Sequence, residues 1–244
     1  MSRKNSSALK RTTSIPAGHI GWTGRHFLTI AFKDYVGSRV MLNNDLPLQG
    51  VVLASTCIEK YLKAILSSVG KRTPTHLDSL DFLAVMKANG VGVSSYISES
   101  FLDYLGRAYE FRYIEPTTGP VSIGVERRKL LAELDYSVQQ FEASMVVRNA
   151  DGSTVDSDYK RAVDARDQRV WLDNYLLNSR DKTAFIEDPA PLYGAFATPL
   201  HEFVEITHPR FKATNNAKFE HPTFVASGST ISMEFGESVD GRFV

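Results

Sequence analysis

Ala54-Ser55-Thr56-Cys57-Ile58-Glu59-Lys60-Tyr61-Leu62-Lys63-Ala64-Ile65-Leu66 lies inside a run in which Val51, Ala54, Ile58, Tyr61, Leu62, Ile65 and Val69 recur three and four residues apart. That spacing gathers them onto one face of a helix. Pro47 suits the first turn, where its missing N–H costs nothing, and Gly70 suits the end, where the chain turns left-handed. Glu59 and Lys63 stand one turn apart and form an i,i+4 pair. A helix this apolar on one side needs others to cover it.

The flanking sequence supplies them. A first helix is predicted over about His26–Leu42, with Leu28, Ala31, Tyr35, Ser38 and Leu42 inward, stopping at Asn43-Asn44-Asp45. A short third helix runs from about His76 to Ala88, capped by Thr75 and ended by Asn89-Gly90. Ser94 and Ser95 open a fourth, with Ile97, Phe101, Tyr104, Leu105, Ala108 and Phe111 on one stripe running to Pro116. A fifth spans about Val125 to Val147, its seam made of Leu131, Leu134, Val138, Phe141 and Met145. The reading is a mainly α protein built on an antiparallel, up-and-down helical bundle.

Beyond Arg148 the character changes. Asn149-Ala150-Asp151-Gly152-Ser153 is a turn cluster, residues 159–178 allow one more, irregular helix around Val163, Val170, Trp171 and Leu177, and the chain past Pro189 reads as strands. Phe224–Ala226, the turn Ser227-Gly228-Ser229 and alternating Ile231, Met233 and Phe235 predict a β-hairpin. The overall balance of 28 basic and 28 acidic residues hides opposite signs, net +5 over residues 1–150 and −5 over 151–244. The expected organisation is a basic tail over 1–25, a helical bundle over 26–148, and an acidic C-terminal extension of α+β type over 149–244. The tail carries Arg3, Lys4, Lys10, Arg11 and Arg25 and no acid, which suits either a solubilising segment or an arm that binds polyanions.

At 244 residues and 43% hydrophobic content the chain can bury a core. The single Cys57 forbids an intrachain disulfide and falls on the apolar face, as a small core residue does. No apolar stretch approaches the roughly 18 residues of a membrane span, and no leader-like apolar segment follows the basic N-terminus, so a cytoplasmic location is expected. Walker, dinucleotide, His-Glu-x-x-His and Gly-x-Ser-x-Gly motifs are lacking, and the six histidines are scattered. No metal and no cofactor is expected.

The Glu59-Lys60-Tyr61-Leu62-Lys63-Ala64 run, the following His76-Leu77-Asp78-Ser79-Leu80, and the closing Tyr109-Glu110-Phe111-Arg112-Tyr113 near Pro116 resemble, in order and spacing, prokaryotic members of the HEPN family of helical nucleotide-binding domains. The resemblance covers about residues 26–147. It implies a bundle that dimerises, often beside a nucleotidyltransferase partner in a toxin–antitoxin or defence setting. Many members are metal-independent ribonucleases that use Arg-x(4–6)-His near the end of the fourth helix. Here the arginine is Arg107, while Arg112, Tyr113 and Ile114 stand where the histidine belongs. Arginine does not act as a base at neutral pH.

The expected function is therefore a non-catalytic or atypical HEPN-like dimer, prokaryotic or from a phage, that binds RNA, a nucleotide or a partner protein through Arg107, Tyr109, Arg112 and Tyr113. One alternative is a ribonuclease toxin pairing Arg107 with His201, His208 or His221. Another is a structural dimerisation protein. For individual residues a structural reading stands beside the binding one: Arg112 can hold Glu59 across two helices, Arg107 can pair with Asp103 one turn before it, and Tyr113 can close the bundle rather than stack on a base.

Overall fold

The computed structural model of the protein describes residues 13–15, 19–71, 84, 86, 88, 96–110, 121–197 and 203–213. This part is mainly helical, with two small sheets. The helices are α1 (His19–Asn43), α2 (Pro47–Ser68), α3 (Glu99–Glu110), α4 (Arg127–Ser144) and three short ones, α5 (Asp158–Asp164), α6 (Gln168–Trp171) and α7 (Lys182–Glu187). The strands are β1 (Thr13–Ile15), β2 (Val121–Glu126), β3 (Met145–Arg148), β4 (Thr154–Val155), β5 (Ala190–Ala197) and β6 (Phe203–Phe211).

The decisive stretch forms α2 with the expected face inward: Val51, Ala54, Cys57, Ile58, Tyr61, Leu62 and Ile65 are buried. Pro47 occupies its first turn. At the other end Gly70 takes φ +71°, and the Lys71 N–H returns to the Leu66 carbonyl at 3.0 Å, a left-handed stop that only glycine adopts cheaply. α1 packs along α2 at close range. Ser38 Oγ donates to the Gly50 carbonyl at 2.7 Å, and a Cβ on Gly50 would lie 2.6 Å from Leu42 Cγ. On the outer side Asp34 accepts from Thr56 Oγ1 at 2.9 Å and pairs with Lys60.

α3 lays Phe101, Leu102, Tyr104, Leu105 and Ala108 against α2, and the Ser98 hydroxyl caps it by accepting from the Phe101 N–H at 3.2 Å. α4 closes the core with Leu130, Leu131, Leu134, Val138 and Phe141. Phe141 stacks on Tyr61 at 5.6 Å between centroids and meets Tyr96 edge-on at 5.8 Å.

Several elements differ from the sequence reading. α1 begins at His19, well before His26, and the predicted fifth helix is trimmed at both ends. Val125 lies in β2, and Met145 to Val147 lie in β3. Both tips carry apolar residues two apart (Ile123 and Val125, Met145 and Val147), a spacing that serves a strand with one buried face as readily as it extends a helical stripe. The single irregular helix over 159–178 is two short ones, α5 and α6, because Arg166 at φ 51° breaks the run. Ser157 and Asp167 cap these two helices through side-chain oxygens. Of the predicted third helix, Ala84, Met86 and Ala88 are helical and the rest lies outside the described residues, as does the hairpin over 224–235.

The chain beyond 148 packs on the helices rather than apart from them. β3 runs parallel to β1 and antiparallel to β4. β2 pairs antiparallel with β5 from Val121↔Ala197 to Glu126↔Leu192, and β5 pairs with β6 in turn. β2 leads directly into α4, so the strand that enters the helical core is itself held by the C-terminal segment. Val170, Tyr175, Phe185 and Ile186 join the same hydrophobic cluster as Leu28, Tyr35 and Leu134.

Candidate functional site

Two polar clusters and one exposed face stand out. The first cluster lies wholly inside. Arg39 on α1 is fully buried beside Asp135 on α4, also buried, and the two form an ion pair through Arg39 Nη1. The rest of the guanidinium serves the C-terminal segment: Nε donates to the Arg169 carbonyl at 3.1 Å and Nη2 to the Leu172 carbonyl. Tyr35 Oη donates to Asp135 Oδ1 at 2.8 Å, and Asn174 Nδ2 donates to Tyr35 Oη at 3.3 Å. Asn174 Oδ1 then accepts from the Leu176 and Leu177 N–H groups, each at 3.1 Å. Burial pushes the Asp135 carboxyl up, against the opposing pull of Arg39 and Tyr35. Burial works most strongly against the Arg39 charge, but Asp135 and Tyr35 together outweigh it and the guanidinium stays ionised. This cluster fastens three parts of the chain and has no opening to a ligand; its work is structural.

The second cluster borders a cleft between α1, the end of α4, the strands β3 and β4, and α5. The cleft encloses about 300 Å³, and a smaller space of about 210 Å³ adjoins it. Glu142, from the last turn of α4, sits at its floor and accepts from Tyr61 Oη at 2.7 Å. Burial raises the Glu142 carboxyl above its ordinary range; side-chain bonds from Ser157 and Tyr61 pull it back, and the Asp158 charge adds to the rise.

The exposed face is the start of α1. Trp22 is 71% exposed, the most open of the large apolar side chains among the described residues, and Arg25 and His26 beside it are exposed too. Residues three and four apart share one helix face, so the indole, the guanidinium and the imidazole lie together.

The predicted site residues are placed as follows. Arg107 sits in the last turn of α3, partly exposed, with Nε 3.4 Å from Asp103 Oδ2, the one-turn pair expected of it. Tyr109 follows on the same helix, half-buried. Arg112 and Tyr113 lie outside the described residues, as do His201 and His221. Glu59 is buried and pairs with Lys63, as its spacing predicts. His208 is exposed on β6, its ring edge-on to Phe211 at 6.4 Å. Cys57 is a buried free thiol whose pKa burial raises well above the usual range, which suits a core residue and not a nucleophile. Among the described residues no three His, Cys, Asp or Glu side chains gather as metal ligands would.

Sequence reasoning missed Trp22, Arg39, Asp135 and Glu142. A signal existed for Asp135, which stands four residues after Leu131 and three before Val138 and so falls within the apolar stripe of α4. Arg39 stands four residues after Tyr35 and three before Leu42 in the same way. One buried charge of each sign on two inward stripes announces a pair.

The chain matches no family model, no curated protein and no solved structure.

Proposed function

We propose that the protein is a HEPN-like helical module that binds RNA without cleaving it, and that it works as a dimer in a prokaryotic or phage toxin–antitoxin or defence setting. The observation that carries the RNA reading is the Trp22, Arg25 and His26 face at the start of α1, which continues the acid-free basic stretch over residues 1–25. An open aromatic face flanked by cationic and hydrogen-bonding groups is what unpaired bases stack on, with the phosphates held beside them. Arg107 offers a second phosphate contact. Its guanidinium carries five N–H donors and directs one to Asp103, at a distance too long to be tight. The absence of cleavage rests on the sequence: no histidine occupies the family's position after Arg107.

Electrophoretic retardation of a labelled single-stranded RNA tests this. Trp22→Ala removes a stacking partner and is expected to weaken binding by about tenfold, the effect of losing roughly 1–3 kcal/mol per stacked base. Arg107→Ala should lower affinity less and reduce the salt dependence by about one phosphate contact. Unchanged retardation in both variants would remove the reading.

A further inference from the structure

We propose that the cleft above Glu142 is a binding site for a small organic cation, an ammonium or guanidinium head on a short apolar or aromatic stem. Leu28, Met145, Val147, Val155 and Val163 make most of the lining apolar, so the cleft favours an apolar body. Its volume of about 300 Å³ stands at the small end of ligand pockets, enough for a single ring or a short chain.

The floor supplies the specificity. The Glu142 carboxylate accepts from Tyr61 Oη at 2.7 Å and from the Ser157 side chain. A carboxylate offers about four acceptor positions, so roughly half its capacity is left for a ligand. Both partners are neutral hydroxyls, and among the described residues no cation forms an ion pair with Glu142. The basic residues nearest the cleft are committed elsewhere: Lys160 to Asp164 at 2.5 Å and Asp156 at 3.5 Å, Arg161 to Asp158 and to the Asp156 carbonyl at 2.7 Å. Arg25 borders the adjoining space without pairing to Glu142. Asp158, at the adjoining space, is the partner of Arg161, so that pair adds little net charge of either sign. A carboxylate between apolar walls with no counter-ion has an unmet electrostatic demand, and a cationic head on an apolar stem meets it while its stem covers the walls.

Isothermal titration of the full chain at neutral pH with phenethylamine, agmatine and the uncharged phenethyl alcohol decides this. The amine and agmatine are expected to bind, and the alcohol at least about tenfold more weakly, the usual effect of one charge-assisted hydrogen bond. Glu142→Gln should erase the preference for the amine over the alcohol. Ala143→Trp, which puts a large side chain at an exposed position of the cleft lining and leaves Glu142 in the sequence, should abolish binding of all three. Circular dichroism of each variant keeps misfolding from counting as a result. No binding of either cation to the wild type, or equal amine affinity in Glu142→Gln, would overturn the proposal. The test contains no RNA, so its failure leaves the reading of the α1 face standing.

Discussion

Arg39 and Asp135 are separated by 96 residues in sequence and meet with neither exposed to solvent. Removing one member of such a pair strands the other charge in the core, which costs about 3–5 kcal/mol. Asp135→Ala is accordingly expected to lower the stability measured by urea denaturation by that amount, and Tyr35→Phe, which removes the hydrogen bond to the same carboxylate oxygen and the acceptor of the Asn174 amide, by about 1.5–3 kcal/mol. An Asp135→Ala protein as stable as the parent would mean that the pair does not hold the core. Glu142 carries the opposite lesson. Its folded carboxyl keeps its proton to higher pH than the ordinary value of 4.5. The folded state therefore binds more protons than the unfolded one from about 4.5 up to the raised value. The stability from this group is full below that window and lost as pH rises through it. Melting temperatures recorded from pH 4 to 8 should show this decline in the parent and a flatter profile in Glu142→Gln. A profile unaltered by the substitution would place the carboxyl's ionisation outside the account.

At the scale of elements the contact between α1 and α2 is set by Gly50. A Cβ there would meet Leu42 Cγ at 2.6 Å and Cδ2 at 2.8 Å, so one helix would have to retreat. Gly50→Ala gains about 0.5–1 kcal/mol of helix propensity and incurs about 1–3 kcal/mol of overpacking; the second effect wins. A lower melting temperature is the expected outcome, and a raised one would show that the interface has slack. The same scale shows what the sequence could and could not reveal. α2 was legible to within two residues, because its apolar spacing, its proline start and its glycine stop all agree. The tips of α4 were not: Val125 and Met145 fit a helical stripe and a buried strand equally well, and only the pairing of β2 with β5 and of β3 with β1 decides between them. Trp22 was hidden for a related reason. With the first helix read from His26, the preceding residues looked like tail, whereas the helix from His19 sets Trp22, Arg25 and His26 on one face.

For the whole molecule, the change of composition near residue 148 marks no structural break. The segment that follows supplies the two carbonyls on Arg39, the Asn174 contact to Tyr35, the strand beside β2, and Phe185 and Ile186 in the core. The described residues on either side of 148 therefore belong to one packed unit, and long-range pairing of this kind leaves no local trace in a sequence. Deleting residues 149–244 is expected to leave a chain with no cooperative unfolding transition in calorimetry. A sharp transition in the truncated protein would show that the helices fold alone.

The functional reading turns on whether bound RNA survives. The most direct measurement is to incubate the purified full chain with labelled single-stranded RNA in EDTA, then resolve the same sample on native and denaturing gels. The account predicts RNA that is retarded on the first, full-length on the second, and released by Trp22→Ala. Shortened RNA on the denaturing gel, produced by the parent and lost in Arg107→Ala, would contradict it and make the protein a ribonuclease.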